Sequence, residues 1–455
     1  MGRTRVKAPA AIPFGEALRF WLRLGFVSFG GPAGQIAIMH RELVERRAWI
    51  SERRFLHALN YCMVLPGPEA QQLATYIGWL MHGTRGGIVA GGLFVLPSLA
   101  ILIALSWMYV RFGQVPAVAA LLYGVKPAVV AIVLAAAWRI GSRTLRHPLL
   151  WAVAAAAFAA LALLHLPFPL VILGAAAIGI VAHRVMPHAL AAPAHPAGTA
   201  APREAVIGDA TPTPAHARFS RGRFALLVAV FVALWAAALG ALAARFGWAG
   251  DLPQMGRFFT QAALLTFGGA YAVLPYVLQG AVETHGWLTA PQMMDGLALG
   301  ETTPGPLIMV VAFVGFVGGW TKQVLGPDAL VAAGVAGATV ATFFTFLPSF
   351  LFILAGGPLV ERTRGDVKLA APLTAITAAV VGVIVNLAIF FAWRVLWPQS
   401  TEAAPFGGRF DVAALAIALA AFALLVKRKL EVIPVIAASA LAGLALWAAG
   451  YAVAV

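Results

Sequence analysis

The sequence LPGPEAQQLATYIGW, residues 65–79, places two prolines, a glycine, a carboxylate and two amides inside an otherwise hydrophobic segment. A proline within a helix removes a hydrogen-bond donor and leaves a carbonyl free, so Pro66-Gly67-Pro68 predicts a break between two half-helices. In lipid, free backbone groups are tolerated only where they face protein or a water-filled cavity, so such a break usually marks a site. The second half of the chain repeats the pattern in ETTPGPLIMVVAFVGF, residues 301–316.

The composition of the whole chain indicates a polytopic membrane protein. Of 455 residues, 61% are hydrophobic and 11% are charged, whereas about a quarter are charged in soluble proteins. The formal charge of +15 does not favour nucleic acid as a partner, because Lys and Arg fall in short hydrophilic gaps that are typical of cytoplasmic loops. A single cysteine, Cys62, excludes a disulfide framework, and the histidines show no metal-ligand spacing. We therefore expect no metal site and no cofactor.

Most hydrophobic segments have roughly the 17 to 25 residues that a bilayer requires. These segments are residues 18–39, 55–81, 87–110, 117–138, 149–165, 168–183, 224–245, 258–280, 293–319, 329–355, 370–396, 410–426 and 431–452. The interval between the two groups is rich in Ala, Pro and His and cannot bury a core, so we expect a flexible cytoplasmic linker there. The predicted units are an N-terminal repeat (14–183), the linker (184–223), a connecting transmembrane helix (224–250) and a C-terminal repeat (251–455).

The two halves of the chain are copies of each other. A constant offset of 238 residues relates Phe29-Gly30-Gly31 to Phe267-Gly268-Gly269 and Pro66-Gly67-Pro68 to Pro304-Gly305-Pro306. Beyond a gap the match resumes at an offset of 251, where Leu347-Pro348-Ser349 repeats Leu96-Pro97-Ser98. Internal duplication of this kind is typical of transporters that are built from structural repeats.

Positive charge predicts that the copies have opposite orientations. Residues 40–54 contain five arginines, whereas the equivalent residues 281–292 contain no Lys or Arg. Because basic loops stay in the cytoplasm, the N-terminus, the 40–54 loop and the linker are expected inside. Segments 18–39 and 55–81 are then re-entrant hairpins; the alternative, in which both span, leaves five arginines outside. The predicted fold class is an all-α polytopic membrane protein with two homologous inverted-topology repeats and broken or re-entrant helices at a central site.

Four converging helix breaks favour an anion as the ligand. Each helix N-terminus offers unpaired N–H groups and about half a positive charge, and glycine lets a ligand approach the backbone closely. A packing or capping role is favoured for any one of the neighbouring polar groups alone, and their clustering at four breaks is the stronger signal. The candidate substrate-binding residues are Ser28, Gly30, Gly31, Gln35, Pro66, Gly67, Pro68, Gln71, Gln72, Lys126, Thr266, Gly268, Gly269, Tyr271, Thr303, Pro304, Gly305 and Pro306.

Ionisable residues inside apolar segments are candidates for function, because each is costly to place in hydrocarbon. Lys126 is the best fixed positive charge for an anion, with snorkelling to the membrane surface as the alternative. Arg23 is a candidate for a secondary anion contact, with the same alternative. Glu69 and Glu301 flank the two Pro-Gly-Pro breaks and are proton-coupling candidates, with helix capping as the other role for Glu69.

At four motifs the chain resembles the chromate ion transporter (CHR) family in its long, two-domain form. The motifs are FGGPAGQIAIMH (29–40), LPGPEAQQLATYIGW (65–79), FGGAYAVLPYV (267–277) and TTPGPLIMVVAFVGF (302–316). The resemblance runs from about Phe14 to Gly450. It departs from the family pattern at Ala270, where the second Gly-Gly motif often continues with glycine. The resemblance implies a multi-pass inner-membrane protein that exports chromate and confers resistance, with sulfate as the physiological analogue.

Alternative functions stay open at this point. A sulfate or oxyanion importer or exchanger, and a passive anion channel, would use the same helix N-termini. An enzyme is not expected, because the chain has no HExxH, GxSxG or Asp-rich motif. The expected partners are chromate, sulfate as its analogue and the lipid bilayer. The oligomeric state is open, a homodimer included.

Overall fold

A computed structural model describes residues 12–185, 205–209, 211–212, 214–267, 269–362, 370–400 and 404–451. Within these ranges every regular element is helical, which confirms the all-α prediction. The helices are α1 (Phe14–Val27), α2 (Gly31–His40), α3 (Glu52–Val64), α4 (Glu69–Phe112), α5 (Pro116–Thr144), α6 (Pro148–Ala162), α7 (Phe168–Val185), α8 (Arg221–Phe246), α9 (Asp251–Leu265), α10 (Ala270–Leu278), α11 (Ala290–Thr302), α12 (Val310–Thr321), α13 (Leu330–Arg362), α14 (Ala370–Leu396), α15 (Val412–Val426) and α16 (Val432–Ala448). In the described part of the chain, six helices are long and apolar enough to cross a membrane, namely α4, α5, α7, α8, α13 and α14.

The helix bounds repeat between the two halves of the chain. A π-helical turn at Arg41–Arg46 has its counterpart at Gln279–Thr284, and α3 has its counterpart in α11. Both pairs are displaced by the 238 residues that relate the sequence motifs. The duplication seen in sequence therefore extends to local structure.

The first hairpin, formed by α1 and α2, returns to the side from which it starts. The chain reverses at Gly30, whose φ of +86° is a conformation that glycine adopts without steric cost. Arg47, just past the π-helical turn, pairs with Glu16 in the first turn of α1 at 3.3 Å. The guanidinium of Arg47 also lies over the Phe20 ring. Segment 18–39 therefore folds back on itself instead of running straight through the structure.

Helix α4 consists of two antiparallel halves. Non-helical backbone at His82 and Gly83 separates residues 69–81, called α4a, from residues 84–112, called α4b. A Cβ added at Gly86 would lie 2.2 Å from the carbonyl oxygen of Gly78, so the two halves are in backbone contact. Small residues permit this close approach, which favours helix association in lipid.

The second hairpin, formed by α3 and α4a, also starts and ends on one side. Just before α3, Trp49 packs edge-on against Phe20 of α1, with ring centroids 5.2 Å apart. At the end of α4a, His82 Nε2 lies 2.9 Å from the carbonyl oxygen of Ile12. Both ends of segment 55–81 therefore lie beside the start of α1, which supports the re-entrant alternative.

The C-terminal repeat folds back in the same way. At the start of α9, Asp251 accepts a 2.9 Å hydrogen bond from the indole of Trp287, which precedes α11. A Cβ added at Gly318, near the end of α12, would lie 2.6 Å from the Met255 side chain and 2.9 Å from Trp287. The start of α9, the loop before α11 and the end of α12 thus lie together.

Part of the predicted flexible linker is packed against the N-terminal repeat. Ile207 forms an isolated bridge with Ile50, and its amide donates to the carbonyl of Trp49 at 2.9 Å. Ser51 donates to the Asp209 carboxylate at 2.6 Å. In the described C-terminal part of the predicted linker, the backbone has hydrogen-bond partners that composition does not reveal. Residues 186–204 lie outside the described residues.

The helix that connects the repeats is α8, which starts at Arg221. Of its side chains only Leu239 and Ala243 are buried. A helix that is apolar all round and exposed in this way is suited to lipid contact.

Candidate functional site

All four predicted breaks are present, and each joins the end of one helix to the start of the next. The helix ends and starts are Val27 and Gly31, Val64 and Glu69, Leu265 and Ala270, and Thr302 and the short 3₁₀ turn that begins at Leu307. Pro66, Pro68, Pro304 and Pro306 lie inside two of the breaks, where their missing N–H groups stop the helical ladder. The first amides after each break lack the partner four residues earlier that an uninterrupted helix would supply.

Two reciprocal hydrogen bonds join the breaks of opposite repeats. The amide of Gly67 donates to the carbonyl of Thr266, and the amide of Gly305 donates to the carbonyl of Ser28, each at 2.8 Å. The two pairs are related by the 238-residue offset. The Pro-Gly-Pro break of each repeat therefore meets the Gly-Gly break of the other.

These two bonds reduce the number of predicted backbone amides that are free to donate to an anion. Because the amides of Gly67 and Gly305 already donate to carbonyls, they are not free for a ligand in this conformation. For the amides of Gly30, Gly31 and Gly269, no partner is found among the described residues. A Cβ added at Gly31 or Gly269 would meet no atom within 4 Å, so both glycines border open space. Gly268 lies outside the described residues.

Two serines that the sequence analysis did not propose as ligands lie at the Pro-Gly-Pro breaks. A Cβ added at Gly67 would lie 2.4 Å from Ser349 Oγ, and one added at Gly305 would lie 3.1 Å from Ser98 Oγ. Both serines are buried, and neither hydroxyl has a hydrogen-bond partner among the described residues. The available signal was the repeated Leu-Pro-Ser triplet, which had served only to show the duplication.

Three predicted glutamines at the breaks have unpartnered oxygens. Gln35 donates to the carbonyls of Gly305 and Ser28, Gln72 donates to the carbonyl of Pro66, and Gln71 donates to a threonine hydroxyl. The side-chain oxygens of all three are buried without a partner in the described part of the chain. These acceptors are suited to water or to a ligand that carries a proton.

Other predicted side chains are satisfied locally. The hydroxyls of Ser28 and Thr266 donate to carbonyls one turn earlier, and that of Thr303 donates to the carbonyl of Gly300 at 3.0 Å. Their helix-capping role is therefore clear, although each oxygen can still accept a hydrogen bond. The Tyr271 hydroxyl donates to the carboxylate of Glu301, which links the start of α10 to the end of α11.

The remaining ionisable candidates lie in different surroundings. Glu69 is half-buried at the start of α4a, and no partner is found for it among the described residues. Lys126 is half-buried on α5, which packs against α11, where Asp295 lies ten residues before Gly305. Arg23 is exposed on α1. The structure therefore associates Lys126 with an acid that the sequence analysis missed, and it does not connect Arg23 with the breaks.

Comparison with known families agrees with the two-repeat organisation. A sequence profile described as Chromate transporter matches residues 15–180 and 253–444. The chain belongs to the chromate transporter family. The two matched regions correspond to the two repeats, and neither includes the linker or α8.

Several relatives are similar to this transporter over most of its length. The chromate transport protein of Pseudomonas aeruginosa is 34% identical over 447 residues, covering 97% of this chain and 94% of the relative. The chromate transport protein of Cupriavidus metallidurans is 29% identical, covering 94% of this chain and 92% of the relative. A probable chromate transport protein of Synechococcus elongatus is 28% identical over 82% of this chain. No solved structure matches the chain.

Proposed function

We propose that this transporter exports chromate across the inner membrane by alternating access and thereby confers chromate resistance. The reciprocal bonds from Gly67 to Thr266 and from Gly305 to Ser28 carry the proposal, because they bring the breaks of both repeats to one place. Family membership and the names of the relatives support chromate as the substrate.

Chromate is a tetrahedral dianion whose oxygens accept hydrogen bonds. In the proposed complex, the free amides of Gly30, Gly31 and Gly269 donate to these oxygens, and the partial positive charge of the helix N-termini stabilises them. The unpartnered hydroxyls of Ser98 and Ser349 supply two further donors, one from each repeat. Lys126 offsets part of the negative charge.

The contacts between the repeats support inverted orientations. Helix α4b leads away from the N-terminal hairpins to Tyr109, which donates to Asp295 at 2.9 Å. Glu361, near the end of α13, accepts a 2.7 Å hydrogen bond from Tyr76 of α4a. Each repeat therefore sends a crossing helix to the hairpins of the other, as two copies with opposite orientations would do.

The membrane potential favours export. Because the cytoplasm is electrically negative, moving a dianion outward is downhill by about 4 to 5 kcal/mol at 100 mV. A proton gradient is thus not required for export to proceed. In the proposed cycle, rocking of one repeat against the other exposes the site alternately to each side, and the basic 40–54 loop attracts the anion on the cytoplasmic side.

Chromate uptake into inside-out vesicles tests this proposal, with potential, proton and sulfate gradients imposed one at a time. We expect saturable uptake that an interior-positive potential accelerates and that sulfate inhibits. Uptake that does not saturate would instead identify a passive anion channel. Stronger sulfate than chromate transport, directed inward in right-side-out vesicles, would identify a sulfate importer.

Serine variants test the oxyanion site itself. A hydrogen bond to a charged group contributes about 1.5 to 3 kcal/mol, so Ser98→Ala or Ser349→Ala should weaken chromate binding roughly 10- to 150-fold. Thr345→Val is the matched control on α13, because the Thr345 hydroxyl is already bonded to the carbonyl of Ala341 at 2.7 Å. If both serine variants keep the wild-type KM for chromate, neither hydroxyl binds the anion.

A further inference from the structure

Asp295 is a buried acid with one oxygen left unsatisfied. It lies on α11 and is 2% exposed. The Tyr109 hydroxyl donates to Asp295 Oδ2 at 2.9 Å, while Oδ1 is buried and has no hydrogen-bond partner among the described residues. A buried carboxylate oxygen without a partner is costly, so the site is built for a state in which Oδ1 gains one.

Lys126 lies on α5, which packs against α11, the helix that carries Asp295. No ion pair between the two is found within 4.0 Å in the described chain, and Lys126 makes no hydrogen bond there. Asp295 therefore has a positively charged side chain on a neighbouring helix, and the Lys126 ammonium has no ion pair with it that would prevent it from taking another partner.

The surroundings of Asp295 hold few other charges. Helix α11 packs against α4, α5, α12, α14 and α16. Tyr109 of α4 is hydrogen-bonded to Asp295 and Lys126 lies on α5, while α12 and α16 carry no charged residue. Arg394 of α14 donates instead to the carbonyl of Ser400, and Glu301 of α11 is bonded to Tyr271.

The same position carries an ionisable group in the N-terminal repeat. His57 of α3 is equivalent to Asp295 at the 238-residue offset, and its Nε2 is also buried without a partner in the described chain. Each repeat therefore has a buried, unpartnered polar atom on an ionisable side chain at this equivalent position. Packing alone does not require this.

We propose that Asp295 binds one proton whenever the oxyanion binds, so that a proton and the anion cross the membrane together. This inference rests on the proposed function. In the empty site the Asp295 carboxylate balances the charge of Lys126. When a dianion binds and its charge is balanced by Lys126, the buried carboxylate of Asp295 loses the positive charge that compensated it. A proton from water then binds Oδ1, no bond in the anion breaks, and the charge moved per cycle falls from two to one.

The test measures the charge moved per chromate in proteoliposomes at mildly alkaline pH, where the anion is a dianion. A potential of about 59 mV accumulates a singly charged transported unit tenfold and a doubly charged one a hundredfold. At this potential we expect the wild type to accumulate chromate tenfold. This concentration ratio should change a further tenfold for each unit of pH difference across the membrane. For Asp295→Asn we expect a hundredfold gradient that does not depend on the pH difference.

Asp411→Asn is the matched control, because Asp411 is also buried and bonded to a tyrosine, Tyr123. Its oxygens are bonded to Tyr123 and to the amide of Ala414, so the folded fraction of this variant should keep the wild-type gradient and pH response. Glu69→Gln and Glu301→Gln should keep the pH response too. Loss of that response in one of these two variants, with Asp295→Asn unchanged, would overturn the inference.

A second assay decides the case in which Asp295→Asn shows no net transport. Exchange of labelled for unlabelled chromate requires no net proton release, so a variant defective only in coupling keeps it. Loss of exchange would assign Asp295 a structural role and overturn the inference. If the wild-type protein transports no chromate, the proposed function itself is refuted. If the wild type accumulates chromate a hundredfold and shows no pH response, only the co-transport of a proton is refuted.

Discussion

The glycines at the breaks should separate into two classes when each is replaced by alanine. Gly305 has a φ of +98°, and a Cβ added there would lie 2.7 Å from the Cβ of Ser98, which its backbone fixes. Gly269 has a φ of +96°, but a Cβ added there would meet no atom within 4 Å. The two positions thus share a strained backbone for alanine and differ in the space available.

The structure gives the size of the difference. Alanine at a positive φ of this kind costs about 1 to 3 kcal/mol, and this applies to both variants. Forcing an extra methyl group into a filled position costs about 1 to 3 kcal/mol more, and this applies to Gly305→Ala alone. We expect Gly305→Ala to be less stable than the wild type by about 2 to 6 kcal/mol and Gly269→Ala by at most about 3 kcal/mol.

In transport assays we expect the opposite order, with Gly269→Ala more impaired than the folded fraction of Gly305→Ala. The methyl group of Gly269→Ala occupies the open space before a free amide, so the folded protein should bind chromate weakly. Thermal unfolding in detergent, followed by tryptophan fluorescence, measures stability, and vesicle uptake measures the KM for chromate. If Gly269→Ala transports chromate like the wild type, the free amides do not hold the anion. If Gly305→Ala is as stable as Gly269→Ala, the close approach to Ser98 is wrong.

Three further predictions concern charged groups. Lys126→Ala should abolish chromate resistance at unchanged membrane levels, because it removes the proposed counter-charge; undiminished resistance would exclude Lys126 from the site. Arg23→Gln should leave the KM for chromate unchanged, because Arg23 is exposed; a large rise would restore it as an anion contact. His216 of the linker donates from Nε2 to the carbonyl of Trp79 at 2.8 Å. Burial lowers the pKa of His216, so the docked linker favours the neutral ring and should undock as the pH falls below the ordinary histidine value. Protease sensitivity of the linker should then rise with acidity in the wild type but not in His216→Gln, whose amide can still donate to the carbonyl of Trp79.

The sequence predicted the fold class and the helix breaks because both depend on local chemistry. Apolar length indicates membrane helices, and Pro66 or Pro304 interrupts a helix whatever surrounds it. The constant offset between the motifs also revealed the duplication. The residues that form the breaks were therefore identified before any contact was known.

The partners within the site could not be predicted, because they depend on how distant segments pack. Nothing near Gly67 in sequence indicates that its amide donates to Thr266, nor does the motif around Ser98 show that its hydroxyl lies against Gly305. Asp295 sits in a segment without a recognisable motif and becomes notable only beside Tyr109 and Lys126. The docked linker depends in the same way on backbone pairing between Ile50 and Ile207.

The symmetry of the reciprocal bonds bears on the balance between the inward-open and outward-open states. The bond from Gly67 to Thr266 and its equivalent from Gly305 to Ser28 join equivalent atoms at the same length, so neither break is held to its partner by a shorter bond. The bonds alone therefore favour neither the inward-open nor the outward-open state. A preference for one of these two states must come from positions where the repeats differ, such as Glu69 opposite Leu307 and Glu301 opposite Met63. Acidic groups stand on one side of each symmetric pair only, and they repel a dianion more in one state than in the other.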